Sequence, residues 1–360
     1  MEYLRLKDVD LRQSIGTRVF LTFMAKDVSV RVQKDKVTKF IVFNMADKGT
    51  TIEARIFGAT DAQIEMIKEG SVYNSAVDIK PYDKAPSGYS CIIYNIDYSS
   101  LSPKLFADWA DNMNESRNSI DEAIKKYYNT VYGKIGYPIL IKHWERFVAW
   151  TAASGMHHTQ LGGLLTHTAE VVETAEHMAD YYNNRYGYSL INKPLLVWSA
   201  ILHDIGKTSE LDVDILSGKV EYSREACLQT HIMGILADVE QEIFCQKLGE
   251  QCYELGDTDE PVPQKSDEQI MDEQEACLLL KHCLAAHHGK LEYGSPITPS
   301  VPEAMLLNIM DELSAEVFRY NKAFKDTGIR ETSTQWLGGN LVKYYRDGTK
   351  VLGDTNNFGG

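Results

Sequence analysis

The hydrophobic period of this chain changes near residue 100. Before that point apolar residues alternate in short runs, and beyond it they recur at three- and four-residue spacing. A chain of 360 residues with such a switch is no single uniform sheet or bundle. It predicts a β-patterned domain followed by a helical one. Five runs rich in Val, Ile, Phe, Tyr and Thr carry the first pattern: TRVFLTFMAKDVSVRV (17–32), KFIVFNMA (39–46), TTIEARIF (50–57), SVYNSAVDIK (71–80) and YSCIIYNID (89–97). Lys34-Asp35-Lys36, Asp47-Lys48-Gly49 and Ala85-Pro86-Ser87-Gly88 are the turn signals between them.

A short helical patch, ATDAQIEMIKEG, follows the third run. Five strands with a helix after the third is the element order of an OB-fold barrel. Residues 101–149 read as a helical linker, 150–325 as an all-α bundle and 326–360 as a Gly- and Asn-rich tail. The fold class expected is therefore multidomain α+β, with a five-stranded OB-fold barrel over residues 1–100 ahead of the helical domain. The stretch 254–275, acidic and holding two prolines, reads as a solvated loop.

Net charge is −14, but its distribution is uneven. Residues 1–100 hold 14 Lys/Arg against 13 Asp/Glu, whereas 238–275 hold 13 acids against 2 lysines. The acidity is thus largely one local run, and it leaves the first domain free to meet a polyanion. A protein that coats duplex DNA needs a broad basic surface, which is not present. The longest apolar stretch, Leu195 to Leu202, falls short of the roughly 18–20 residues of a membrane span. The opening MEYLRLKDVDLRQ shows no apolar signal region, and the six cysteines form no C-x-x-C pair. A cytoplasmic protein with reduced thiols, away from membranes, is expected.

Ten histidines are present, most of them in the helical region. His167 has Leu164 at i−3 and Val171 at i+4. His231 has Leu228 and Ile235 at the same offsets, and Asp311 has Leu307 at i−4 and Ser314 at i+3. These polar groups share faces with apolar neighbours and should point inward. His203-Asp204 and His287-His288 add adjacent pairs. A buried polar group without a partner costs about 1–3 kcal/mol, so inward imidazoles and acids need a common partner. A metal ion supplies one, and the absence of thiolates argues against structural zinc. Seven such residues exceed the needs of a single ion. Asp204, with two carboxylate oxygens, is the natural bridge between two ions about 3.5–4 Å apart. His143, His177 and His282 fall outside the series. His157 and His158 either line the pocket mouth or cap the first helix.

The series H…HD…H…HH…D resembles that of the HD-domain superfamily of metal-dependent phosphohydrolases over about residues 150–320. The resemblance implies one ion on His167, His203, Asp204 and Asp311, and a second on Asp204, His231, His287 and His288. It also implies that Asp204 and Lys207 act in catalysis, with Lys207 reaching a substrate phosphate. HHTQLGGLLTHT, ILHDIGK and HHGKLEYGSP behind an OB-like domain are similar to the YhaM-type 3′-5′ exoribonucleases. That similarity implies stepwise hydrolysis of single-stranded RNA, or DNA, by a water that two divalent ions activate. Mn²⁺ is the first choice of ion, with Fe, Ni, Co, Zn or Mg as alternatives, and a homo-oligomer is compatible with it. The segment GKLEYGSP departs from the longer GYP-containing signature of cyclic di-GMP phosphodiesterases. The competing reading is a phosphohydrolase of small or cyclic nucleotides whose barrel serves docking or assembly.

An OB barrel holds single strands by stacking bases on aromatic rings and tracking phosphates with Lys and Arg. Phe23, Phe40, Phe43, Phe57, Tyr73, Tyr82 and Tyr94 are the candidate rings, with Arg31, Lys39 and Arg55 nearby. Strand alternation assigns about half of these rings to the core. The set chosen for nucleic-acid contact is Phe23, Arg31, Lys39, Phe40, Arg55, Phe57 and Tyr82.

Overall fold

A computed structural model describes residues 3–327, except 34–36, 83–84, 86–87, 154–157, 216–217, 225 and 256–260, together with Ser333 and Tyr344. The expected tail, His157 and the Lys34-Asp35-Lys36 turn thus lie wholly or mostly outside the described residues. Two compact units are present: residues 1–111 with 212–221, and residues 112–211 with 222–360. Among the described residues, no helix is long and apolar enough to cross a membrane.

The first unit is a closed barrel. A two-residue strand β1 (Leu4–Arg5) precedes β2 (Arg18–Val32), β3 (Lys39–Asp47), β4 (Thr50–Phe57), β5 (Val72–Pro81) and β6 (Tyr89–Tyr98). The sheet order is β1-β2-β3-β4-β6-β5, and β2 also pairs with β5 to shut the barrel. One long strand serves two neighbours because it bends. Its first half pairs Arg18–Met24 with β5, and its second half pairs Met24–Val32 with β3. The register slips between Lys26 and Ser29, where Asp27 adopts φ 53°. Such a bulge turns a strand sharply enough to round a barrel corner. Glu69 secures it by accepting the backbone N–H groups of Asp27 and Val28 at 3.0 and 3.1 Å.

Alternation then fills the barrel with Leu21, Phe23, Ile41, Phe43, Met45, Ile56, Tyr73 and Cys91. The helix α1 (Asp61–Met66) sits between β4 and β5, opened by a capping box of Thr60 and Gln63. The five principal strands and their order are those expected of an OB barrel.

The second unit is mainly helical. Its helices are α2 (Met113–Tyr127), α3 (Val131–Ala149), α4 (Gly163–Tyr186), α5 (Lys193–Leu202), α6 (Lys207–Glu210), α7 (His231–Cys245), α8 (Asp267–Ala286) and α9 (Pro302–Thr327). Helices α2 and α3, from the segment expected to link the domains, contribute Ile120, Tyr127, Ile135, Ile139 and Phe147 to the same core as α4, α5, α8 and α9.

Three local expectations are corrected. Two small two-stranded sheets interrupt the helices, β7 (Leu211–Asp214) with β8 (Lys219–Tyr222) and β9 (Tyr253–Leu255) with β10 (Pro261–Pro263), so the region is not purely α. The acidic stretch expected as a loop to residue 275 instead begins α8 at Asp267. Ser266 and Gln269 form a capping box there, and Asp267 and Glu268 suit the positive end of the helix dipole. Helix α7 starts at His231, which leaves Leu228 outside the helix and exposed.

Helix α5 is the buried axis of this unit, with every residue from Leu195 to Leu202 inside. Trp198 anchors it by donating its indole N–H to the Tyr127 carbonyl at 3.0 Å. Gly136 of α3 lets the two helices approach, since a Cβ there would stand 2.4 Å from Cε3 of Trp198. Gly136→Ala is therefore expected to destabilise the protein by about 1–3 kcal/mol through overpacking. Thermal unfolding of the variant beside the parent measures this.

Candidate metal centre

Four helices and one turn bring the polar residues of the second unit together. His167 projects from the first turns of α4. His203 and Asp204 lie in the turn that ends α5, and His231 is the first residue of α7. His287 and His288 follow α8, and Asp311 lies midway along α9. Gly206 is what allows α7 to come this close, because a Cβ there would lie 2.3 Å from the His231 carbonyl oxygen.

Two groups of potential ligands result. His167, His203, Asp204 and Asp311 form one, and His231, His287 and His288 the other, with the donor atoms of each group within 4.8 Å of one another. Asp204 stands between them. Its Oδ2 lies 3.5 Å from Nε2 of both His167 and His203. Its Oδ1 faces Nε2 of His231 at 3.6 Å and of His287 at 4.0 Å. Asp311 Oδ1 approaches His167 Nε2 at 3.1 Å.

Hydrogen bonds on the far side of each ring decide which nitrogen faces the centre. Nδ1 of His203, His287 and His288 meets the carbonyl oxygens of Ala200, Leu284 and Tyr293 at 2.8, 2.7 and 3.0 Å. A carbonyl only accepts, so each Nδ1 carries the proton. His231 Nδ1 donates to Glu210 Oε2 at 2.5 Å. Ser314 gives its hydroxyl proton to Glu170 Oε2 at 2.6 Å, which leaves its oxygen to accept from His167 Nδ1 at 3.0 Å. All five imidazoles thus turn Nε2 inward as a lone-pair donor when neutral.

The inward atoms crowd in a way that calls for positive charge. Nε2 of His167 and His203 are 3.2 Å apart, and those of His231 and His287 are 3.4 Å apart. Two lone pairs at such separations repel unless a proton or a cation lies between them. Among the described residues, Asp204 Oδ1 is buried and accepts no hydrogen bond, a costly state for a carboxylate oxygen. Imidazole nitrogens and carboxylate oxygens are donors that suit divalent transition ions, and the tied Nδ1 atoms are the support such ligands require. The residues present fit a divalent metal centre, with Asp204 placed between the two groups of potential ligands.

Charge within the cluster agrees. Burial works against ionisation of Asp204, yet Lys207 and His203 hold its carboxyl well below the usual range. The Lys207 ammonium lies 2.6 Å from Oδ2 and pairs with Asp204. Burial, reinforced by His288, His203 and His231, pushes His287 well down and keeps it a neutral donor. His203 is raised despite its burial by the negative charges of Asp204 and Asp311. A cation at His203 competes with a proton for Nε2.

The second layer escaped the sequence reading. Glu170, Glu210, Ser314 and Asn308 touch the ligands or their backbone, with Asn308 donating to the His287 carbonyl at 2.9 Å. A signal existed for α9, since Asn308, Asp311 and Ser314 are spaced three apart and share a face. His158 is corrected from the pocket mouth: it is 2 % exposed and lies behind His167, with ring centroids 5.2 Å apart. His143 bridges Thr208 and Asp238 at 2.7 Å on each side, a structural tie away from the cluster.

On the barrel, Phe23 is corrected as a nucleic-acid contact. It is fully buried with Phe43 and Tyr73, because β2 turns that face inward. Arg31, Phe40 and Phe57 stand opposite one another across β2, β3 and β4. The two rings stack at 5.9 Å, and Phe57 is half exposed. Arg55 lies 4.6 Å over the Tyr82 ring, and Lys39 pairs with Asp61 at 3.1 Å. Phe40, Phe57, Tyr82, Arg31 and Arg55 therefore offer an aromatic and basic outer surface.

Asp204→Ala removes the carboxylate that faces both ligand groups, so it is expected to weaken metal binding at each of them. Metal analysis of the purified variant should find far less than the parent holds. Undiminished metal in that variant would falsify the shared role of Asp204.

Residues 164–316 match the family model of the HD domain. The 3′-5′ exoribonuclease YhaM of Bacillus velezensis is 26% identical over 322 residues, which cover 86% of this chain and 89% of that protein. The protein of the same name from Listeria innocua serovar 6a is 26% identical over 337 residues, 93% of this chain and 97% of its own. That from Listeria welshimeri is 30% identical over 234 residues, 65% and 64% of the two chains.

Proposed function

We propose that this chain, which matches the HD domain over residues 164–316 and is similar along most of its length to YhaM exoribonucleases, is a metal-dependent nuclease shortening single-stranded RNA from the 3′ end. The observation that carries this reading is Asp204, whose two oxygens face two separate sets of imidazoles. His167, His203, Asp204 and Asp311 would hold one divalent ion, Mn²⁺ by preference, and Asp204, His231, His287 and His288 the other. Ions there supply charge for the phosphoryl oxygens and acidify water at neutral pH.

The chain's own groups do the rest. The carbonyl, carboxylate and hydroxyl partners of the Nδ1 atoms hold the five imidazoles in one tautomer, so no reorganisation precedes the reaction. Lys207, already drawn to the site by Asp204, adds a cation for the transferred phosphoryl group. No side-chain nucleophile is needed, since the attacking group in this chemistry is water. The barrel contributes Phe40 and Phe57 as stacking surfaces and Arg31 and Arg55 as charges for a single strand. A strand so held is kept at high local concentration for the helical unit of the same chain.

A 5′-labelled single-stranded RNA incubated with the protein and Mn²⁺ should give a ladder of progressively shorter products. Turnover confined to mononucleotides or cyclic dinucleotides would sink this reading in favour of a small-nucleotide phosphohydrolase. Stacking contributes about 1–3 kcal/mol per base. Phe57→Ala and Phe40→Ala should therefore raise KM for a 20-nucleotide strand by about 5- to 100-fold, while hydrolysis of a dinucleotide changes little. Equal effects on both substrates would show that the outer rings hold no strand.

A further inference from the structure

The two ligand groups differ in the charge that they offer a cation. The first combines two imidazoles with oxygens of two carboxylates, Asp204 Oδ2 and Asp311 Oδ1. The second has three imidazoles, which are neutral as ligands, and only the other oxygen of the shared Asp204. A divalent ion at the second position is therefore short of compensating negative charge. Among the described residues, a further carboxylate lies against this group: Glu210, whose Oε2 receives the Nδ1 proton of His231 at 2.5 Å.

Glu210 is well placed to hold that contact. It ends α6, six residues beyond Asp204, and its carbonyl accepts the Ser223 N–H at 2.9 Å. Ser223 in turn gives its hydroxyl proton to the Ser209 carbonyl at 2.8 Å. Ser223 thus holds the backbone of residues 209 and 210, from which the carboxylate extends to His231. A carboxylate on the outer nitrogen of an imidazole fixes the ring and makes the inner nitrogen a stronger donor. In the first group the corresponding link runs through a hydroxyl, since His167 reaches the carboxylate of Glu170 by way of Ser314.

Resting on the two-ion reading above, we propose that Glu210 is a positioning residue. It gives the second ion position its affinity by orienting and polarising His231, and that position is the weaker and more readily emptied of the two.

The test uses the full-length protein, stripped with a chelator and titrated with Mn²⁺ alone, with bound ion followed by electron paramagnetic resonance and calorimetry. The parent should bind two ions with unequal affinity. Glu210→Gln keeps a group that accepts from Nδ1 but removes the charge, and Glu210→Ala removes both. Each should leave the tighter ion in place and weaken the other by about 10- to 100-fold. Ser314→Ala should instead weaken the tighter ion. Excess Mn²⁺ should restore nuclease turnover in Glu210→Gln, and the melting temperature of the metal-free protein should match the parent's.

Two ions bound with unchanged affinity in both Glu210 variants would overturn the inference and leave the two-ion reading intact. Equal loss of both ions in Glu210→Gln would also overturn it, since that is the mark of a collapsed site. A parent that binds one ion would overturn the two-ion reading itself and this inference with it.

Discussion

A carboxylate buried among imidazoles is tolerated only when positive charge lies beside it. Asp204 is such a group, buried in a turn between α5 and α6, with one oxygen directed at His167 and His203 and the other at His231 and His287. Much of the helical unit serves that placement. The apolar helix α5 carries the residue into the interior, and Gly206 allows α7 to close over it. Helix α9 presents Asn308, Asp311 and Ser314 along one face, touching each part of the cluster. The helices bury enough apolar surface to hold a polar centre whose own assembly without cations is unfavourable.

Control of the imidazoles is distributed differently from the ligands themselves. Three rings are tied to backbone carbonyls, one to a carboxylate directly and one to a carboxylate through a hydroxyl. Backbone carbonyls fix tautomer without adding net charge, whereas Glu210 and Glu170 add charge as well. The cluster is thus symmetrical in its central carboxylate and unsymmetrical in its surroundings.

The barrel solves a separate problem, the display of aromatic and basic side chains on a stable surface. Closure needs the Asp27 bulge, because β2 must pair with β5 along one half and with β3 along the other. Once closed, the barrel keeps Phe23, Phe43 and Tyr73 inside and leaves Phe40, Phe57 and Tyr82 toward solvent. Alternation separates the two sets but does not say which of them faces inward. Around Leu21–Ala25 even alternation is hidden, since five successive residues are buried. One side of that run enters the barrel, while Met24 joins Val72 and Phe106 in a small outer cluster. For this reason Phe23 looked like a binding ring until the strand's pairing was known.

The amino-acid sequence by itself determined the order of the elements, the change from sheet to helix and the identities of the seven candidate ligands. Each of those rests on local spacing: period two, period three to four, and His-Asp and His-His pairs at helix ends. The start of α8 was legible too, in Ser266 and Gln269, although the prolines and acids around them argued for a loop. Only the tertiary structure decided that Asp204 turns its two oxygens to different imidazole sets, that Glu210 and Ser314 back two of those rings, and that His158 lies behind the cluster. Those facts depend on contacts such as His167 with Ser314, 147 residues apart along the chain. A glutamate or serine on a helix carries no local mark of the residue it will meet, because the packing of distant helices chooses its partner.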